Sequence, residues 1–131
     1  MSDSAVARLR VISAVRCCVR RPQDPFVWQD KRGNFHALFH KFTDEHPDCG
    51  GHAYSRDGRQ WVLHNTAAYT TTITTAAGEA HHFARRERPH LLFAEDGTTP
   101  QMLFTSLTNW SVGHHPPNDK AFTFGQAIKT E

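Results

Sequence analysis

Lysine is scarce in this chain: only Lys31, Lys41, Lys120 and Lys129 among 131 residues. A nucleic-acid footprint needs Lys and Arg clustered on a folded face, so that class is excluded. Long apolar runs are missing too, and no stretch reaches the roughly 18 residues that a membrane-spanning helix needs. Cysteine is limited to Cys17, Cys18 and Cys49, an odd number with two adjacent and no CxxC pair. A disulfide framework is therefore not expected. There is also no Gly-rich phosphate loop and no Ser or Cys nucleophile motif.

Charge is present but unevenly placed. Residues 1–23 hold five Arg (Arg8, Arg10, Arg16, Arg20, Arg21) against Asp3, a net +4, while residues 24–131 hold ten bases against twelve acids, a net −2. The basic pI of about 8.6 thus belongs to the start of the chain. Residues 1–22 read as an Arg-rich leader with Ser2, Ser4 and Ser13 and an apolar stripe (Val6, Leu9, Ile12, Val15, Val19) at helical spacing. Three origins fit: an organellar transit peptide, an ordinary amphipathic helix, or upstream sequence captured by a gene-model boundary. The leader has no secretory apolar core, which leaves cytoplasmic or organellar placement as the expectation.

Residues 23–131 have a different texture. Short β-rich runs alternate with turn signals, so the expected fold class is all-β, with antiparallel four-stranded sheets. Phe26–Gln29 and Phe35–Phe42 flank the turn Asp30-Lys31-Arg32-Gly33-Asn34 as a hairpin. His52–Ser55, a turn at Arg56–Arg59, and a strand from Trp61 follow. Tyr69–Thr75 is rich in β-branched residues, Gly78-Glu79 turns the chain into His81–Arg85, and Ala121–Ile128 reads as a closing strand. The unit recurs at an offset of 64 residues: Pro25 to Gly33 spans the same interval as Pro89 to Gly97, and both second strands carry Leu-Phe (Leu38-Phe39, Leu103-Phe104). Four short antiparallel strands per repeat are the pattern of propeller blades. The expectation is about two blades.

Three segments carry a family resemblance: QDPFVWQDKRGNFHALFH, GGHAYSRDGRQW and RRERPHLLFAEDG. Their Asp-Pro, Ser-x-Asp-Gly-x-x-Trp and Glu-x-Pro elements resemble the five-bladed β-propeller glycoside hydrolases, the superfamily of arabinanases, β-xylosidases, invertases and levansucrases. The resemblance implies a partial propeller over residues 22–128, with carbohydrate as the partner. It implies Asp24 as the carboxylate that orients or stabilises and Glu87 as general acid. The family's first-blade carboxylate has no counterpart here. Two blades also leave open sheet edges, for which self-association into a homo-oligomer is one remedy.

The carboxylates can also be argued from physical chemistry. Asp24 and Glu87 stand beside Pro25 and Pro89, which start strands, so both are expected at strand starts on one end of neighbouring units. Glycoside hydrolysis needs a carboxyl that protonates the leaving oxygen and another that acts as base or nucleophile. Glu87 lies among Arg85, Arg86 and Arg88, so an ion pair with these cations is the competing role. A carbohydrate-facing groove would include Asp24, His52 and Glu87, with Arg88 and Trp28 as further substrate contacts. Trp28, Trp61 and Trp110 could each offer a sugar-stacking face, although aromatic residues in strands are more often core. Ser55-Arg56-Asp57-Gly58 resembles the sialidase Asp-box and is expected to be a structural turn, with Asp57 capping backbone N–H groups and Trp61 packing between sheets. Ten histidines invite a metal, and His36 and His40 share a strand face. No set of three or four converging ligands is apparent from the spacing, so neither metal nor cofactor is expected. The functional expectation is a glycoside-hydrolase-like domain that acts on or binds carbohydrate, incomplete for catalysis as a lone chain. The alternative is a non-catalytic sugar-binding or self-assembling module.

Overall fold

The computed structural model describes residues 23–40, 49–109 and 120–129. The Arg-rich leader, Lys41-Phe42 and Trp110 lie outside the described residues. Among the described residues every regular element is a strand: β1 Gln23–Gln29, β2 Phe35–His40, β3 Gly50–Ser55, β4 Val62–Leu63, β5 Thr72–Thr74, β6 Ala80–His82, β7 Arg85–Phe93, β8 Pro100–Thr108 and β9 Ala121–Ala127. They form three antiparallel sheets in chain order, β1-β2-β3-β4, β5-β6 and β7-β8-β9. The all-β, antiparallel expectation holds, but among the described residues only the first of the three sheets has the expected four strands. The Tyr69–Thr75 run contributes a shorter strand than its composition suggested, and Tyr69 instead bridges to Gly50.

Local chemistry explains the first hairpin. Asp30 Oδ1 accepts from the backbone N–H groups of Arg32 (2.8 Å) and Asn34 (2.9 Å), and Gly33 takes φ 83, a conformation that side chains disfavour. That turn places Trp28 opposite His36 and Phe26 opposite Leu38. The repeat expected from sequence has a backbone counterpart. β1 and β7 each carry a bulge at a residue followed by Pro, and Asp24 (φ 50) and Arg88 (φ 55) both occupy the left-handed region there. The second turn mirrors the first, since Asp96 Oδ1 accepts from the N–H groups of Thr98 and Thr99. Lys31 joins the two turns through an ion pair with Asp96 at 2.8 Å.

Alternation along the strands divides β1-β2-β3-β4 into two apolar faces. Ala37, Phe39 and Ala53 form one cluster, with Val27, Trp61 and Leu63 packed on it. Leu38 joins Tyr69, Leu91 and Leu103 in the other, with Phe26, Trp28 and Phe93 around them, and so binds the first sheet to β7 and β8. The equivalent leucines of the two repeats, Leu38 and Leu103, meet in this shared core. Each fully buried Leu contributes on the order of 1.5–3 kcal/mol. The expected turn at Asp57 is present: its Oδ1 accepts from the N–H groups of Arg59 and Gln60, while Ser55 Oγ accepts from Gly58 N–H.

Candidate functional site

The face that carries Trp28 and Leu38 does not end in packed core. Beyond it an open cleft of about 330 Å³ is walled by Trp28, His52 and His64, floored by Leu38 and Leu91, and closed by residues 66–68, Pro100 and Ile128. Strand register builds the aromatic wall. His36 lies across from Trp28 on β1 and Tyr54 on β3, and His52 lies across from Leu38. The Trp28 and His36 rings stack at 5.0 Å, His36 and His52 at 5.3 Å with planes 8° apart, and His64 stands 6.1 Å from His52.

Polar bonds thread this wall. His36 Nε2 lies 3.1 Å from Asp30 Oδ2, and His36 Nδ1 lies 3.0 Å from His52 Nε2. The bond to His36, with help from Asn34 and Arg32, holds the Asp30 carboxyl well below its usual range. Burial, then unfavourable electrostatic interaction with the nearby His36 and His64 rings, lower the pKa of His52 to about 4. His52 is thus a neutral imidazole near pH 7.

The expected carboxylates lie elsewhere. Asp24 is exposed in the β1 bulge, and Glu87 is buried at the start of β7. Trp28 is four residues further along β1 than Asp24, about 13 Å at strand rise, and neither carboxylate lines the cleft. Both lie near enough to the Tyr69 phenol to disfavour its ionisation, adding to burial, which is the main cause of its raised pKa. Glu87 Oε2 accepts from Arg85 and lies 3.6 Å from His40 Nδ1. The ion-pair role foreseen for Glu87 is thus present. Arg88 is exposed at the β7 bulge and lines no part of the cleft, unlike Trp28 and His52.

Sequence reasoning placed Asp30 in a turn and left His64 without a role. Only cross-strand register shows that Asp30, His36 and His52 form a chain of contacts. The turn's capping pattern, which fixes that register, was the available signal. Among the described residues no three His, Cys, Asp or Glu side chains are grouped to hold a metal ion. Comparison with protein-family models, with curated proteins and with solved structures finds no match.

Proposed function

We propose that this chain is a carbohydrate-binding β-domain of propeller-blade type, resembling glycoside hydrolases in its segments but binding sugar in the Trp28–His52 cleft. One observation carries the reading: two residues that the sequence assigned to sugar binding share a single open cleft. A pyranose offers an apolar C–H face to an indole and hydroxyls to imidazole nitrogens, and this lining supplies both kinds of surface. The blade reading is supported by the four-stranded antiparallel meander β1-β2-β3-β4 and by the bulged hairpin that repeats 64 residues later. Titration with xylobiose and arabinobiose, followed by tryptophan fluorescence and calorimetry, tests it. Trp28→Ala is expected to weaken binding at least tenfold with the β circular-dichroism spectrum retained. Absence of binding to the wild-type chain by these sugars and by fructo-oligosaccharides overturns the reading.

A second reading, hydrolysis, is supported by Asp24 and Glu87 both acting electrostatically on the same residue, Tyr69. Under it the wild-type chain turns over members of a nitrophenyl-glycoside panel, and Glu87→Gln abolishes turnover while binding persists. A panel with no turnover removes this reading and leaves the first. A second copy of the chain is proposed as partner, because Leu92 and Phe122 of the β7-β8-β9 sheet are exposed. Light scattering should then give a multiple of 14.9 kDa, and a monomer at high concentration removes this partner.

A further inference from the structure

The cleft wall contains a directional chain of hydrogen bonds whose polarity is set outside the cleft. It begins at Asp30. Oδ1 accepts from two backbone N–H groups, and Oδ2 accepts from Asn34 Nδ2 at 3.1 Å. A carboxylate that accepts from so many donors stays ionised. It then faces His36 Nε2 at 3.1 Å. An imidazole lone pair turned toward an anion is repelled, so Nε2 carries the proton and donates.

A neutral imidazole has one N–H and one lone pair. With Nε2 protonated, His36 Nδ1 is the lone pair, and its partner at 3.0 Å, His52 Nε2, must supply the hydrogen. The same rule applied again leaves His52 Nδ1 with a lone pair. That atom makes no hydrogen bond within the described residues, on a side chain that lines the cleft. The near-parallel planes of the two rings, 8° apart, hold the arrangement between Trp28 and Tyr54.

We infer that Asp30 and His36 fix the tautomer of His52, so that its Nδ1 meets the cleft as a hydrogen-bond acceptor and selects ligands that offer a hydroxyl donor there. Asp30 and His36 are positioning residues, acting through His52 without touching the ligand. The ligand class rests on the carbohydrate reading above. The tautomer does not, since it belongs to the ligand-free chain.

Two-bond proton–nitrogen correlation spectra of the full chain labelled with 15N-histidine read the tautomer directly. They would be taken near pH 8, above the ordinary imidazole range, with His52 assigned through His52→Gln. The expected result is an Nε2–H His52 with an unprotonated Nδ1. An Nδ1–H His52 in the wild-type chain overturns the inference, whatever any variant does. Asp30→Asn provides the second arm. Its amide oxygen can keep the turn bonds of Oδ1, while its NH₂ replaces Oδ2 opposite His36. His36 must then accept at Nε2 and donate from Nδ1, and His52 is expected to switch to the Nδ1–H form. A folded Asp30→Asn chain whose His52 tautomer is unchanged counts equally against the inference.

Xylobiose added to the wild-type chain should move the His52 Nδ1 resonance and leave Nε2 nearly still. If Trp28 fluorescence reports binding while Nδ1 does not move, the acceptor role fails and the carbohydrate reading stands. If no sugar binds but the wild-type and Asp30→Asn tautomers are as expected, the carbohydrate reading fails and the positioning role stands.

Discussion

Four consecutive residues at the start of β7 meet four different environments. Arg85 pairs with Glu87, Glu87 is buried beside His40, and Arg88 is exposed in the bulge. Arg86 is buried with its guanidinium 4.9 Å from the Tyr69 ring centroid and 5.6 Å from that of Phe124. It donates to Thr105 Oγ1 (3.0 Å), Thr70 O (3.2 Å) and Gln126 Oε1 (3.0 Å), tying β7 to β8, β9 and the segment before β5. Burial lowers its pKa, yet an arginine remains charged, so these neutral oxygens and aromatic faces are what stabilise the cation. Arg86→Ala is expected to lower stability by about 3 kcal/mol or more, read as a shift in urea midpoint, because Thr105 and Gln126 lose their donor and a cavity opens. His52 sets a pH dependence of defined sign. Its folded pKa, about 4, lies below the reference 6.5, so between these values the unfolded chain takes a proton that the folded chain refuses. Stability is complete above pH 6.5 and falls as pH drops toward 4, by roughly 2–3 kcal/mol in total. His52→Gln should flatten that slope, and urea midpoints between those two pH values check it.

At the scale of elements, the Pro-linked bulges of β1 and β7 are the most distinctive devices. A side chain at φ 55 is strained, and at Arg88 no compensating bond is needed to account for it. Arg88→Gly is expected to be neutral or to stabilise by up to about 1 kcal/mol, whereas glycine within a regular strand costs about that much. Equal destabilisation at both kinds of position would argue against the bulge conformation. Gly50 is the opposite case: an added Cβ would fall 2.1 Å from the Tyr69 ring. Gly50→Ala should therefore cost about 1–3 kcal/mol by thermal melting, the range of overpacked cores. Much at this scale was legible beforehand. Gly33, Gly58 and Gly97 marked turns that are present, and the repeat of Pro, apolar strand, acid and Gly marked two hairpins, whose bulges only the backbone shows. The need for glycine at position 50 is not legible in the sequence, because the ring that requires it comes from nineteen residues later. The β-branched run after Tyr69 overstated its strand, since Thr70 instead gives its carbonyl to Arg86.

At the scale of the molecule, Val27, Ala37, Phe39 and Ala53 fall on one face and Phe26 and Leu38, with Leu103, on the other. The strands were legible in the sequence, but the continuous apolar runs did not assign the faces. Which side chains would share a cleft was not readable, because register across three strands decides it. Asp24 and Glu87 are the expected pair at strand starts, and both act electrostatically on Tyr69 while lining no part of the cleft. Trp28 and His52 looked like scattered substrate contacts, yet they are the two that line one opening. The segment that completes this opening is stitched to β3: His64 N–H donates to His52 O (2.8 Å), Ala68 N–H to Gly50 O (2.8 Å), and Gly50 N–H to Tyr69 O (2.9 Å). These three amides should exchange slowly with deuterated solvent, at rates set by opening of the sheet and not by local fraying. A wall fastened at both ends needs no rearrangement to admit a ligand, so association should follow encounter, and exchange at the three amides should change little on binding.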